Sequence, residues 1–548
     1  MAKIIECVPN FSEGRDRAVI DAIADAIRAT PGCSLLDVDP GASTNRTVVT
    51  FVGDPAAVVE GALAAARVAK ARIDMRKHHG AHPRMGALDV CPFVPVADVT
   101  MEECVACAQA FGRRAAEELG IPIFLYERAA TQPHRKTLAQ IRDGEYEGLA
   151  KKLARPEWKP DFGPTELVPS WGATVTGARG FLIAYNVNVL CTKEQAHRIA
   201  LDLREQGRGP GEPGKLRAVK AIGWQVGEYG VAQVSMNLDD YDVTPPHVAF
   251  EAVAAEARKL KVAVAGSELV GLVPMRAIAM AADHYVAREE LFIVDEAQRI
   301  RLAVERLGLS SIAPFVPEKR IIEKMIGGVE EPLASLSVRR FVELLGARTP
   351  APGGGSASAL AAAMGAALGA MTGWMTYGKR KFEAEDAVMR RLIPPLHHAM
   401  MELLPMIDAD TAAFNDYLAA VGSPKETEAE KAARAAAMQA GLRQAIGVPL
   451  AAMRAADRAW DAMVELAAHC NLASRSDLEV GARCLEVGTW GAMRNVVINL
   501  ETVKDAVFAA ATRAEAERLA ARAQERCAAV LAALEARRAG PAPAHAPG

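Results

Sequence analysis

The sequence predicts a multidomain α+β chain, with two α/β (ferredoxin-like) units followed by an all-α helical bundle. Three observations carry this. The 548 residues suffice for three or four compact units at ~150 residues each. Up to about residue 330, short β-branched runs alternate with amphipathic runs. Beyond residue 335 the strand signals nearly vanish, and long Ala/Leu/Met/Glu/Arg runs dominate.

In the first part IIECVPNF, CSLLDVD and TVVTFVG read as strands, and IPIFLYE as a further one. DRAVIDAIADAIRA, AAVVEGALAAARVAKARI and MEECVACAQAFGRRAAEEL carry helical spacing. A second unit begins at Phe181 with the strand FLIAYNVNVLC. The helix TKEQAHRIALDLREQ follows, with Thr192 as its cap and Glu194 in its first turn. After the loop GRGPGEPG come two strands around a Gly-rich turn, a helix from about His247 to Lys259, and VAVAGSELVGLVP. This β-α-β-β-α-β order is the ferredoxin-like pattern.

The last part reads as helices over 336–346, 357–378, 383–420, 427–444, 447–470, 474–500 and 503–538. Gly365, Gly369 and Gly373 recur on one helix face, a spacing that lets backbones approach closely, within the chain or between subunits. Residues 327–335 read as a linker, and the tail AGPAPAHAPG as a segment that forms no packed element.

Charge excludes several classes. The chain has 64 basic and 67 acidic side chains and a net charge of -3, which is not the basic footprint of a nucleic-acid binder. The start MAKIIECVPNFSEGRD breaks before any long apolar run, unlike a secretory leader. The stretch Ser356 to Met375 is apolar but built from Ala and Gly, so it reads as a packed helix and not a transmembrane segment. Nine irregularly spaced cysteines point to reduced thiols and a cytoplasmic protein. Cys104 and Cys107 share a helix with no second pair, which argues against zinc.

The richest polar cluster is 77–96, with Lys77, His78, His79, His82, Arg84 and Asp89 broken by Gly80, Pro83 and Gly86. It reads as a loop carrying reactive side chains. HHxxH lacks a carboxylate at helical spacing, so proton transfer by histidine is favoured over metal binding, with solvated loop histidines as the alternative. Asp37 and Asp39 end a strand ahead of Ser43, Thr44, Asn45 and Arg46, and Asn10, Ser12 and Glu13 are placed similarly. Residues Gly163, Pro164, Thr165, Glu166, Leu167, Val168, Pro169, Ser170, Trp171 and Gly172 offer an indole among turn formers, where a flat heteroaromatic ligand would stack.

In the last part APGGGS precedes a helix with Ser356 as its expected N-cap, an arrangement suited to an anion. Tyr377, Lys379, Arg380 and Lys381 form a basic turn, with Arg390 and Arg391 following. Asp408 and Asp410 are two apart on a helix, so they point to different faces: one is expected toward a pocket, the other toward solvent. Asn415, Arg475, Ser476 and Asp477 are secondary candidates.

Taken together, ECVPNFSEG, LLDVDPGASTNRTVVTFVG, HHGAHPRMGALDVCPFVPV and DFGPTELVPSWGATVTGAR resemble the formiminotransferase-cyclodeaminase family in order and spacing. The resemblance continues through FLIAYNVNVLCTKEQAHRIALDLREQGRG, AGSELVGLVP, GARTPAPGGGS, MTYGKRKF, RRLIPP, DADTAAF and SRSDLEVGARCLEVG, and spans about residues 3 to 538. It implies formiminotransferase subdomains at 1–180 and 181–326, with folate bound between them, a linker at 327–335 and a cyclodeaminase domain at 336–541. His82 matches the catalytic histidine, 163–172 the folate-contacting loop, and Asp410 the cyclodeaminase aspartate. The implied reaction moves the formimino group of N-formimino-L-glutamate to tetrahydrofolate. It then closes the product to 5,10-methenyl-tetrahydrofolate with loss of ammonia, in histidine degradation. The co-substrate would be tetrahydrofolate polyglutamate, without a metal. The basic turn near Lys379 would meet the polyglutamate tail. The assembly would be a homo-octamer, a ring of dimers. Asp39 is the candidate to orient His82 or hold the amidine, and Arg46 and Arg84 to hold glutamate carboxylates. The alternatives are a chain with one live activity, or a non-catalytic folate-binding scaffold.

Overall fold

Strand and helix signals separate along the chain as two compact units, 1–328 and 329–548. The computed structural model describes residues 3–42, 44–80, 82–226, 230–326 and 332–539.

The first unit opens on a seven-stranded sheet. Its strands are β1 (Ile4–Cys7), β2 (Asn10–Phe11), β3 (Cys33–Gly41), β4 (Arg46–Gly53), β5 (Leu88–Ala97), β6 (Ile123–Glu127) and β7 (Thr174–Ala178). β1 and β2 both lie between β4 and β5; the expected single strand IIECVPNF is broken at Val8-Pro9, where Val8 N–H turns to the Pro92 carbonyl. β3 pairs with the outer side of β4, and β5, β7 and β6 continue the sheet in parallel. β5 corrects the reading of 77–96 as a loop throughout. Its first seven residues are all buried, so no polar alternation marks it, and Pro92 and Pro95 argue against a strand.

Helices α1 (Arg17–Arg28), α2 (Pro55–Arg72) and α3 (Met101–Leu119) cover one face of this sheet around Phe51, Phe93 and Phe111. On the other face, α4 (Leu138–Arg142) and α5 (Glu145–Leu153) belong to a segment that closes a smaller core of Phe124, Tyr126 and Trp158.

A second sheet contains β8 (Ile183–Leu190), β9 (Val219–Val226), β10 (Val231–Leu238) and β11 (Ala263–Val270), in the antiparallel order β11-β8-β10-β9. α6 (Lys193–Leu203) and α7 (Pro246–Lys259) are the crossovers, and Thr192 caps α6 as expected. α8 (Met275–Arg288), α9 (Glu296–Leu307), α10 (Pro317–Arg320) and α11 (Ile322–Met325) complete the unit.

Among the described residues of the second unit every element is helical: α12 (Val338–Leu345), α13 (Gly354–Trp374), α14 (Asp386–Leu403), α15 (Met406–Val421), α16 (Glu428–His469), α17 (Arg475–Leu500) and α18 (Ala506–Ala539), besides short 3₁₀ turns. Two expectations change. The run 383–420 divides at Leu404-Pro405, and the runs 427–444 and 447–470 fuse into the 42-residue α16. Pro449 lies inside that helix and supplies no N–H to the carbonyl of Ala445. Asn499 Nδ2 on α17 donates to that carbonyl at 3.2 Å, so the orphan acceptor is satisfied and the helix continues.

α13 is long and apolar enough to cross a membrane, yet half of its apolar window is buried inside this unit. The glycine face makes an internal contact. A Cβ on Gly365 would lie 2.5 Å from Leu485 N and 2.7 Å from the Gly481 carbonyl, both on α17. Within the expected linker, residues 327–331 lie outside the described residues, as do 540–548 of the tail and Ser43. Cys104 and Cys107 are buried on α3, and no group of three potential metal ligands occurs among the described residues.

Replacing Gly365 by Ala forces two backbones apart. The expected result is a loss of about 1–3 kcal/mol from the helical unit, read as a lower denaturation midpoint.

Candidate active sites

The loop between α2 and β5 is pinned before it reaches His82. Asn45, buried and in the left-handed region at φ 51°, accepts from Gly14 N–H at 3.0 Å. Its Nδ2 donates to the His79 carbonyl at 3.0 Å, and its own carbonyl lies 2.9 Å from His78 Nε2. Gly80 presses directly on the Thr44 carbonyl, where a Cβ would not fit. His78 is therefore a structural anchor, while His79 is exposed.

His82 is half-buried, with Nδ1 2.7 Å from the Pro83 carbonyl and 3.0 Å from Arg46 Nη1. The carbonyl only accepts and the guanidinium only donates, so Nδ1 bonds one of them at a time, as donor to Pro83 or as acceptor from Arg46. Burial, then the Arg46 charge, hold the imidazole below its usual value of ~6.5. At neutral pH this ring is a base.

Arg46 is fixed by Asn10 Oδ1 and by Asp89 Oδ2, the latter at 2.9 Å. Asp89 is 1% exposed, pairs also with Arg142 of α4, and accepts from Met85 N–H at 2.8 Å. Burial lowers Arg46 to about 10, with Asp89 opposing, so the guanidinium stays charged at neutral pH.

Several expected roles change. Asp39 is exposed on β3, and no hydrogen bond or ion pair joins it to His82; Asp89, reaching through Arg46, is the carboxylate of this cluster. Arg84 is buried and already paired with Glu147 at 2.7 Å and Glu145 at 3.2 Å, so it clamps α5 to the loop and is not open to a substrate carboxylate. Arg142 was missed: it sits in a five-residue helix with too few turns to show a period.

The 163–172 loop is laced to the histidine loop. Met75 N–H donates to the Ser170 carbonyl, Ala87 N–H to that of Trp171, and Tyr146 Oη to that of Pro169. Gly163, Thr165, Glu166 and Pro169 are exposed; Pro164, Leu167, Val168 and Ser170 are partly so; Gly172 is buried. Trp171 is not open for stacking. It is 0% exposed, with Nε1 bonded to Thr174 Oγ1 at 3.1 Å. Among the described tryptophans of the first unit the open indole is Trp224 on β9, which is 46% exposed and donates to Gln233 Oε1 at 3.0 Å, which is linked in turn to Asn188.

The second site is built on the first turn of α13. Its N-cap is Gly353, not Ser356; the Ser356 hydroxyl instead donates to the Ile407 carbonyl at 2.7 Å and lies 3.0 Å from Thr411 Oγ1. The anion at this helix start is Asp410 of α15. Its carboxylate occupies the space a Cβ on Gly355 would need. Burial raises the Asp410 carboxyl above the usual range, opposed by hydrogen bonding from Ser356. Asp408 does not meet solvent. It is buried and accepts from Leu333 and Ala334 N–H at 2.7 and 3.0 Å, tying down the start of this unit. Asn415 and Ser476 are exposed, Arg475 pairs with Glu479, and Asp477 lies in the first turn of α17.

Residues 4–179 match the N-terminal subdomain of the formiminotransferase domain, 184–327 the formiminotransferase domain, and 337–518 the formiminotransferase-cyclodeaminase family. The chain is 62% identical to the formimidoyltransferase-cyclodeaminase of Dictyostelium discoideum, over 98% of this chain and 100% of that one. It belongs to the formimidoyltransferase-cyclodeaminase family. The Gallus gallus formimidoyltransferase-cyclodeaminase is 56% identical over 98% of this chain and 100% of its own. The glutamate formimidoyltransferase of Streptococcus pyogenes is 45% identical over 53% of this chain and 95% of its own length. The chain is thus a bifunctional, folate-related enzyme, a formimidoyltransferase and a cyclodeaminase in one polypeptide. His82 lies in the stretch matched by the transferase and Asp410 in that matched by the cyclodeaminase.

A cavity of about 1200 Å³ opens at the far end of β5, lined by Val96, Arg128, Arg179, Tyr241 and Arg276 among others. His82 and Asp89 stand at the near end of that strand.

Two outcomes are expected. Arg46→Gln removes the cation beside His82, so the acid limb of the transferase pH–rate profile moves to higher pH, because a base is lost only below its pKa. Gly355→Ala displaces the Asp410 carboxylate; cyclodeaminase activity is lost while transfer, assayed separately, continues.

Proposed function

We propose that His82 performs formimino transfer from N-formimino-L-glutamate to N5 of tetrahydrofolate, and that Asp410 performs the closure to 5,10-methenyl-tetrahydrofolate with release of ammonia. The observation that carries this is the opposite tuning of the two groups: an imidazole held neutral, and a carboxylate that burial makes a stronger base, able to take a proton and pass it on. In transfer, N5 attacks the amidine carbon, Nε2 of His82 takes the N5 proton, and the glutamate nitrogen receives it as the C–N bond breaks. The arginine–aspartate cluster fixes the ring and keeps its charge low. In closure, N10 attacks the formimino carbon, and Asp410 passes the N10 proton to the nitrogen that departs as ammonia. Folate is the carrier in both steps, and the chain supplies position and proton transfer.

The finer assignments follow from the same reading. Residues 1–180 and 181–326 are the two transferase subdomains, the second ferredoxin-like, and 336–541 is the cyclodeaminase domain. The β11-β8-β10-β9 order supports the ferredoxin-like assignment. Loop 163–172 contacts folate, which its hydrogen bonds to the histidine loop support. The exposed Lys379, Arg380, Lys381 and Arg390 meet the polyglutamate tail, whereas Arg391 is already paired with Glu465. A cytoplasmic homo-octamer, a ring of dimers, is the assembly; Val480, Val487, Trp490 and Ile498, 53 to 63% exposed along α17, support self-association.

The test follows methenyl absorbance and ammonia. His82→Ala is expected to lower transfer by ~10²–10⁴ while supplied 5-formimino-tetrahydrofolate is still deaminated. Asp410→Ala is expected to do the converse. Loss of both activities in either folded variant, or wild-type chain that binds folate without turnover, sinks this reading.

A further inference from the structure

The opening turn of α13 is held from two sides. Asp410 of α15 rests on Gly355. On the preceding residue, Gly354, rests the amide of Asn495 from α17, with Nδ2 and Oδ1 3.6 and 3.9 Å from where a Cβ would stand. α17 comes this close because Gly491 has no Cβ; the space is filled by Ser358, whose hydroxyl donates back to the Gly354 carbonyl at 2.5 Å. The two side chains therefore flank neighbouring positions of one rigid helix turn.

The orientation of the Asn495 amide is fixed. Nδ2 donates to the Gly491 carbonyl at 2.8 Å, and only the amino end can make that bond. Oδ1 is left as an acceptor without a hydrogen-bond partner among the described residues, on a half-buried side chain. Asn499, one turn further on, shows the contrast: its amide is used to satisfy Ala445 on α16.

We propose that Asn495 is a substrate-contacting residue of the cyclodeaminase site, its Oδ1 forming with the Asp410 carboxylate a pair of acceptors for the formimino nitrogen. This rests on the reading of Asp410 given above. The protonated formimino group carries two N–H donors on that nitrogen, and each acceptor takes one. N10 bonds to the formimino carbon, the N10 proton passes through Asp410 to the same nitrogen, and the C–N bond breaks to release ammonia. Asn495 keeps the nitrogen aligned until the bond breaks. A neutral amide is the fitting partner, because it accepts a hydrogen bond without competing for the proton that Asp410 must deliver.

The full chain is assayed with supplied 5-formimino-tetrahydrofolate, following methenyl absorbance across pH, with the denaturation midpoint of the helical unit measured in parallel as the check on folding. Asn495→Leu is expected to lower cyclodeaminase kcat/KM by about 10- to 100-fold, the effect of losing a hydrogen bond to a charged group. Asn495→Asp keeps the shape and adds a carboxylate near Asp410, so the profile of kcat is expected to shift to higher pH. A shift of that profile reports that position 495 lies within electrostatic reach of Asp410, a proximity the proposal requires. Wild-type kcat/KM in Asn495→Leu, or an unshifted profile in Asn495→Asp, overturns the proposal. Full activity in Asp410→Asn would instead overturn the underlying assignment of the site, a separate result.

Discussion

A buried carboxylate between two guanidiniums organises the transferase half. Asp89 is the second residue of β5, Arg46 begins β4 and Arg142 ends α4, so one charge cluster joins three segments that are distant in sequence. Taking Asp89 out of water is costly, and the cluster persists because its oxygens are satisfied by both arginines and by Met85 N–H. Removing one partner would strand charge in a dry site, at a cost typically of about 3–5 kcal/mol. Burial is the first reason the His82 imidazole stays neutral, and the charges of Arg46 and Arg142, partly offset by Asp89, add to it.

The two sites share one physical device with opposite results. Burial disfavours whichever form is charged. On an imidazole this favours the base, and on a carboxyl it favours the acid, so His82 and Asp410 move in opposite directions from their ordinary values. The sheet unit sets its group on a loop braced by Asn45, and the helical unit sets its group against a glycine turn. In each case neighbouring backbone holds the group in place, the Pro83 carbonyl against His82 and the Gly355 turn against Asp410.

Legibility in the sequence followed the strength of the periodic signal. The α/β half and the helical half were readable, because short β-branched runs and long amphipathic runs differ in composition; His82 and Asp410 were singled out by the family resemblance, not by composition. β5 was not: it is buried on both faces and carries two prolines, which erases the alternation that marks a strand. The fusion of two helices across Pro449 was equally hidden, since the compensating donor, Asn499, lies on another helix. Asp39 and Asp89 are both acids beside strand residues, and only the tertiary register decides which meets Arg46. Trp171 looked like a ligand platform because indoles in turns often are, but its neighbours pack it into the core.

The bond from Asn499 to the Ala445 carbonyl makes a proline on one helix and an asparagine on another a single thermodynamic unit. Restoring an alanine at position 449 would return the missing donor to α16 and leave the asparagine amide redundant. Removing the asparagine alone would expose an unmet carbonyl in the bundle interior. Substitutions at the two positions are therefore non-additive, and homologues that lose the proline are released from the need for the amide.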